Sequence, residues 1–346
     1  MVVVMKRQNC INCIFSSWYG NFKQITFRSK IIKLSCEFVE YLKTDGIVLP
    51  DSNAPTYSNE LEGYSDEDDN VEWDEQERNV TIPEFPELQE EVEAAIKSLG
   101  GEVFPKLNWS SPKDAAWMSH NGTLKCTNFS DVCLLLKSSD FVTNDLTNAY
   151  KFCEDDQSSQ PSDQFELVLR KYISIVPGME FRGFVKNNKL VGISQRHYNT
   201  FFDYLVQNRE KILRGITNFF NSRIKDEFAE SNYTFDVYIN SQNRFYVVDF
   251  NPFGELTDAL LFTWDELNGI DTATNIDVDS EDFFRIVTES NNIQPSPYMR
   301  YGMPTDVVDL ACGEDIQKMI DFLNVKELVV KPGENVEKEN GDEPET

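Results

Sequence analysis

The sequence predicts an α+β fold of mainly antiparallel sheet and helices, and three observations predict it. Met179 to Lys186 and Lys189 to Gln195 both read as strands, and Asn187-Asn188 between them suits a tight hairpin turn. Tyr233 to Ile239 alternates like a half-buried strand, and Asn240 to Asn243 turns it into a second run, Phe245 to Val248. Two further segments carry apolar residues at helical spacing: Leu88, Val92, Ile96 and Leu99, then Val206, Leu213, Ile216, Phe220 and Ile224. Strands joined by turns, with helices kept separate, give antiparallel rather than parallel sheets.

Along the chain, residues from about Asn9 to Leu49 mix aromatics with the β-leaning run Ile31-Ile32-Lys33-Leu34, so residues 1–49 form a short folded segment. Residues 50–79 change character. Ten acids and no Lys or Arg lie between Glu60 and Glu77, too polar a run to offset its ordering entropy, which predicts a disordered acidic linker. Order resumes at Pro86, a helix-start residue, and Gly100-Gly101 ends that helix. A strand from Glu102 to Leu107 leads into the turn Asn108 to Asp114, and Phe165 to Ile173 is a further strand. Leu205 to Phe228 reads as one long helix. A polar, mobile loop is expected over 268–292, then a short helix around Asp315 to Leu323. The main domain therefore spans 80–330, and an acidic tail occupies 331–346, with six acids and one Lys from Glu334 onward. There are no internal repeats.

Composition narrows the partners. The 346 residues hold 32 Lys plus Arg against 59 Asp plus Glu, a net charge of -27. Binding to a nucleic-acid backbone depends on cations that neutralise phosphate, so nucleic acid is excluded as a partner and a basic protein face is favoured. No apolar run approaches the ~20 residues that cross a bilayer, and Met1 to Met5 is too short for a signal peptide core. A cytoplasmic monomer without membrane contact is expected. Seven scattered cysteines, with only Cys10 and Cys13 at Cys-x-x-Cys spacing, read as free thiols.

Candidate chemistry gathers late in the chain. Asp249 and Asn251 stand two apart on a strand, so both point to one face, and Pro252 and Gly254 end that strand beside them. A hairpin would bring Asp236 near Asp249. Three hard oxygen donors suit Mg²⁺, while the plainer alternative is a hairpin with solvated acids on its polar face. Lys106 is either a phosphate cation or a lysine that snorkels from a sheet edge. Ser111, Lys113 and Asp114 lie in a turn able to hold an anion. Arg170 and Lys171 end an apolar strand, either as ligand contacts or as charges guarding an edge. Glu180 and Arg182 share one face of the next strand, and Arg196 ends the one after. His120 and His197 sit in no triad-like setting and read as structural or surface residues.

Three motifs together, Asp249-Phe250-Asn251-Pro252-Phe253-Gly254-Glu255, Phe104-Pro105-Lys106-Leu107-Asn108-Trp109-Ser110 and Leu169-Arg170-Lys171-Tyr172, resemble the cell division cycle protein 123 family. The resemblance runs from about Trp18 to Leu323. It implies an ATP-grasp-like fold whose two lobes clasp ATP-Mg²⁺, and a role in assembling translation initiation factor 2 through its gamma subunit. It further implies that Lys106 binds phosphate and that Leu169, Arg170, Lys171 and Tyr172 form the adenine hinge. The ATP contacts expected beside these are Asn108, Ser111, Lys113, Asp114, Arg182, Arg196, Asp249 and Asn251, with Asp236, Asp249 and Asn251 on the metal; Arg182 either contacts phosphate or pairs with Glu180 or the hinge. Two departures stand out. Too few ordered residues precede the nucleotide lobes to make a ligase substrate domain, and Gly122 is the only glycine from Lys113 to Pro177. Both weigh against the alternative, an ATP-dependent carboxylate–amine or carboxylate–thiol ligase, more than against ATP binding. No catalytic residue is assigned.

Overall fold

The computed structural model describes residues 3–44, 46–50, 83–119, 121–155, 164–273, 277–278, 280 and 282–289. The chain opens with helices α1 (Arg7–Asn12) and α2 (Phe15–Phe22), strand β1 (Ser29–Lys33) and helix α3 (Cys36–Lys43), which the Ser35 hydroxyl caps by accepting from the Phe38 amide. Helix α4 (Pro86–Leu99) begins on proline and ends at Gly100, whose φ of 106° only glycine takes without strain. Strand β2 (Val103–Lys106) follows, then α5 (Phe129–Lys137), α6 (Asp140–Asn148) and strand β3 (Glu166–Lys171). Asn128 and Ser139 cap the two helices.

The second half supplies the larger sheet. Strands β4 (Glu180–Lys186) and β5 (Lys189–Gln195) join through Asn187 and Asn188, both in the left-handed conformation that a two-residue hairpin needs. Helices α7 (Asp203–Gln207) and α8 (Arg209–Arg223) lead to β6 (Tyr233–Ile239), β7 (Phe245–Pro252), α9 (Trp264–Gly269) and β8 (Phe284–Arg285). The single helix expected over 205–228 is thus two. Asn208 takes φ -113° and ψ 14°, outside the helical region, and its side-chain amide bonds the Tyr204 carbonyl at 2.8 Å. Strand β7 also runs through Pro252, which lies within the strand rather than after it.

Two sheets result. One has the order β1-β3-β2, antiparallel throughout; the other has the order β7-β6-β4-β5-β8, antiparallel except where β8 runs parallel to β5. Helices α3 to α6 cover the small sheet, with Phe38, Val92, Ile96, Phe129, Leu167 and Leu169 in one core. Helices α2 and α8 cover the large sheet, where Phe22, Phe220, Phe228, Phe235 and Phe250 pack together and Phe228 stacks on Phe250 at 4.1 Å. The N-terminal segment is shared between both layers. Its β1 pairs with β3, α2 joins the core of the large sheet, and Thr26 forms a parallel bridge with Val247.

Within the span expected as a mobile loop, Phe283 and Phe284 are buried and β8 adds to the sheet, because two aromatics there find an apolar surface beside Ile193. The acidic linker lies, from residue 51 on, outside the described residues. So do the helix expected over 315–323 and the tail 331–346. Cys10 and Cys13 are buried thiols, and Cys10 Sγ lies 3.6 Å from Cys153 Sγ. No helix among the described residues is long and apolar enough to cross a membrane.

Candidate nucleotide and metal site

The gap between the two sheets is spanned by side chains from the small sheet. In the β2–β3 register Phe104 faces Arg170 and Lys106 faces Val168, so Lys106 and Arg170 project from one face. Both reach β7. Lys106 Nζ lies 2.8 Å from each carboxylate oxygen of Asp249. The Arg170 guanidinium donates to the Val248 carbonyl at 2.6 Å and to Thr26 Oγ1 at 2.9 Å, and it lies 5.1 to 5.4 Å from the ring centroids of Phe15, Phe27 and Phe104. Burial pulls the Lys106 ammonium below its ordinary pKa, and Asp249 opposes that shift.

A β-bulge prepares this contact. Asp236 pairs with Asp249 and Val237 with Val247, so Val248 is the extra residue of β7. Next to it, Arg182 of β4 stands opposite Asp236 and holds it at two points, 2.7 and 2.8 Å, while donating to the Asp258 carbonyl at 2.8 Å. Arg196 Nε lies 3.5 Å from the same carboxylate. Burial pushes the Asp236 pKa up, but Arg182 and Arg196 outweigh it and hold the group below its ordinary value. Glu180 extends the cluster: His197 Nε2 lies 3.4 Å away. Burial opposes its ionisation too, yet Lys113, His197 and Arg196 bring its pKa down to about 2.

Asp236 and Asp249 are partners across β6 and β7, Asp249 holding Lys106 while Asp236 holds Arg182 and faces Arg196, with Asn251 two residues beyond Asp249 and opposite Thr234. Other expected contacts have structural work. Asp114 accepts from Ser139 Oγ, the Asp140 amide and the Phe141 amide, so it anchors the start of α6 and its carboxylate would repel phosphate. Asn108 is buried and bonds both Glu166 and Gln164. Lys113 begins the turn of helix after Pro112, its amide bonded to the Ser111 carbonyl.

The reading of Arg170 and Lys171 as charges guarding a sheet edge fails. Strand β3 is the centre of its sheet, not an edge, with Leu169 and Arg170 paired on both sides. The Lys171 and Tyr172 amides bond the Arg28 and Glu102 carbonyls. Leu169 is wholly buried and Arg170 is committed to β7, leaving Lys171 exposed and Tyr172 half-buried.

Several members of the cluster carry no motif signal. His197 was expected to be structural or on the surface, and its link to Glu180 follows only from the turn after β5; His120 lies outside the described residues. Asp145 of α6 is buried, interacts electrostatically with Lys106, and accepts from the amide and hydroxyl of Ser110, both at 2.8 Å. Burial pushes its carboxyl up to about 6, with Ser110 opposing.

The D123 family model matches residues 18–311. A protein named translation initiation factor eIF2 assembly protein from Xenopus laevis is 45% identical over 328 residues, covering 93% of this chain and 97% of the relative. One of the same name from Danio rerio is 41% identical over 331 residues, covering 93% and 95%. The structure of Cdc123 from Schizosaccharomyces pombe superposes with a TM-score of 0.67 at 33% identity, covering 83% of this chain and 100% of that one. The α+β architecture expected from the motifs is the fold these two proteins share. Motifs, length of match and fold agree, and the chain belongs to the D123 family.

Proposed function

We propose that this chain is an assembly factor for translation initiation factor eIF2, that it engages the gamma subunit as a cytoplasmic monomer, and that ATP-Mg²⁺ bound between its sheets fixes the geometry it presents. The observation that carries this reading is the near full-length likeness to relatives named for eIF2 assembly, which spans 93% of the chain.

The charged array supports the ligand. Lys106, Arg182 and Arg196 are cations facing one region, and Asp236, Asp249 and Asn251 offer oxygen to a metal. Among the described residues no group of three His, Cys, Asp or Glu could hold a metal by itself. A site here is a two-carboxylate site completed by Asn251 and phosphate, the kind of shell Mg²⁺ takes. Both carboxylates already accept from cations, yet each oxygen keeps a second lone pair. Asp249, at 18% exposure, is the more open of the two. Bound Mg²⁺ would neutralise phosphate charge. Lys106 and Asp249 tie β2 to β7, so a ligand held by this pair would act on both sheets at once. Asp114, Asn108, Leu169 and Arg170 hold structure in this reading, and adenine would lie against Lys171, Tyr172 and the residues after them.

Calorimetry with ATP and Mg²⁺ tests the ligand, and capture of isolated gamma subunit tests the partner. Lys106→Ala should weaken ATP by roughly 1.5–3 kcal/mol, the range for a hydrogen bond to a charged group, and adenosine much less. Asn251→Ala, which breaks no ion pair, should weaken ATP-Mg²⁺ while leaving the thermal melt unchanged. Unaltered binding in both variants sinks the site. Failure of the wild type to capture the gamma subunit with ATP-Mg²⁺ present sinks the partner.

A further inference from the structure

Against a net charge of -27, the first thirty-six residues contain six Lys or Arg and no Asp or Glu. The fold concentrates part of this charge on one edge. A groove of about 340 Å³ runs beside β1, lined by Lys23, Arg28 and Lys30 together with Tyr19, Ile31 and Leu99. The three cations are exposed, and among the described residues none of them is in a salt bridge. Arg28 is steadied by one hydrogen bond, from its guanidinium to the Ser98 carbonyl at 3.1 Å.

Strand β1 is an edge strand, and among the described residues only β3 pairs with it. The bonds between Lys171 and Arg28 and between Leu34 and Phe165 show which residues face β3: the even-numbered ones. Ser29, Ile31 and Lys33 therefore turn their main-chain groups outward. Tyr19 Oη satisfies those of Ser29, at 3.0 and 3.3 Å. Ile31 and Lys33 are left to offer N–H and C=O along an edge that is apolar at Ile31 and cationic on either side.

We propose that this edge docks an extended acidic segment of a partner protein, which adds as a strand beside β1 and sets its carboxylates against Lys23, Arg28 and Lys30. Charge complementarity carries the choice of occupant. Lysines on an edge strand repel a basic strand and make a neutral one costly, because pairing would desolvate a charge left without a partner. The same charges admit an acidic strand, so protection and selectivity come from one set of residues. The proposal is independent of the nucleotide site and of the identity of the gamma subunit.

The test uses the full chain and a fluorescent peptide of alternating Glu and Val, with a Gln and Val peptide as control. At low salt the acidic peptide should bind at least about tenfold more tightly, and added salt should erase the difference. Ile31→Pro removes an outward N–H while keeping the β3 ladder, and should cost about tenfold or more in binding; because Ile31 also packs on the core of the large sheet, its thermal melt is read alongside. Arg28→Glu with Lys30→Glu, on the surface, should do the same and serves if the proline variant is unstable. Equal affinity for the two peptides overturns the proposal, as does retention of binding in both variants. If a chain lacking residues 60–77 binds the probe about tenfold better than the full chain, the acidic run of this chain occupies the edge and the assignment to a partner fails.

Discussion

Lys106 and Asp249 join the two sheets at two points, the ammonium of one 2.8 Å from both oxygens of the other. The lysine is fully buried and the carboxylate is 18% exposed, so the pair is closed on the β2 side and open on the β7 side. A charge buried this way is tolerable only with its partner in place. The same contact therefore bears on stability and on the ligand site.

Removing the carboxylate should show this. Asp249→Ala leaves a buried ammonium uncompensated, and unfolding free energy in urea should fall by about 3 kcal/mol, the low end for breaking a buried pair, because Lys106 can shed its proton. Lys106→Met combined with Asp249→Leu should recover most of the loss. A double variant no more stable than Asp249→Ala would show that the pair is not the source of the loss.

Arg170 is the second strut. Its planar fork reaches the Val248 carbonyl and Thr26 while lying against three aromatic rings. Arg170→Lys keeps the charge and loses that geometry, so it should cost about 3 kcal/mol of stability by denaturant titration, nearly as much as Arg170→Met. Full rescue by lysine would mean that charge alone matters at this position.

Two carboxyls should move stability in opposite directions with pH. Glu180, lowered from an ordinary 4.5 to about 2, contributes stability that is fully present above 4.5 and is lost as pH falls toward 2. Glu180→Gln should flatten that limb of the stability curve. Asp145, raised from 3.8 to about 6, resists ionisation in the fold, so its contribution grows as pH falls from 6 to 3.8. In Asp145→Asn that rise should disappear. Unfolding free energies of the three proteins from pH 3 to pH 7, compared pairwise, read both slopes.

Gly183 lies opposite Phe235 in the β4–β6 register, and a methyl group there would sit 2.4 Å from the phenyl ring. The ring is itself stacked on Phe220 at 5.7 Å and has no free direction to yield. Gly183→Ala should destabilise by about 1–3 kcal/mol, and in a Phe235→Leu background the penalty should shrink. A thermal melt unmoved by the alanine would show that the ring can swing aside.

Elements whose signals are local were legible in the amino-acid order alone. Pro86 and Gly100 mark α4 at both ends, Asn187-Asn188 makes the β4–β5 hairpin, and Asp249 and Asn251 share a face because strands alternate. The amino-acid order also carried the family, since the three motifs are long runs. What it could not carry was pairing between distant segments. That β3 is central rather than an edge depends on β1, more than 130 residues away, and on β2. The break at Asn208 is hidden because apolar spacing continues across it. The roles of Arg170, Asp114 and Asn108 were out of reach for the same reason. A polar side chain near a binding motif looks alike whether it meets a ligand or the main chain, and the bonds these three make to distant backbone groups emerge only once the sheets and helices are packed.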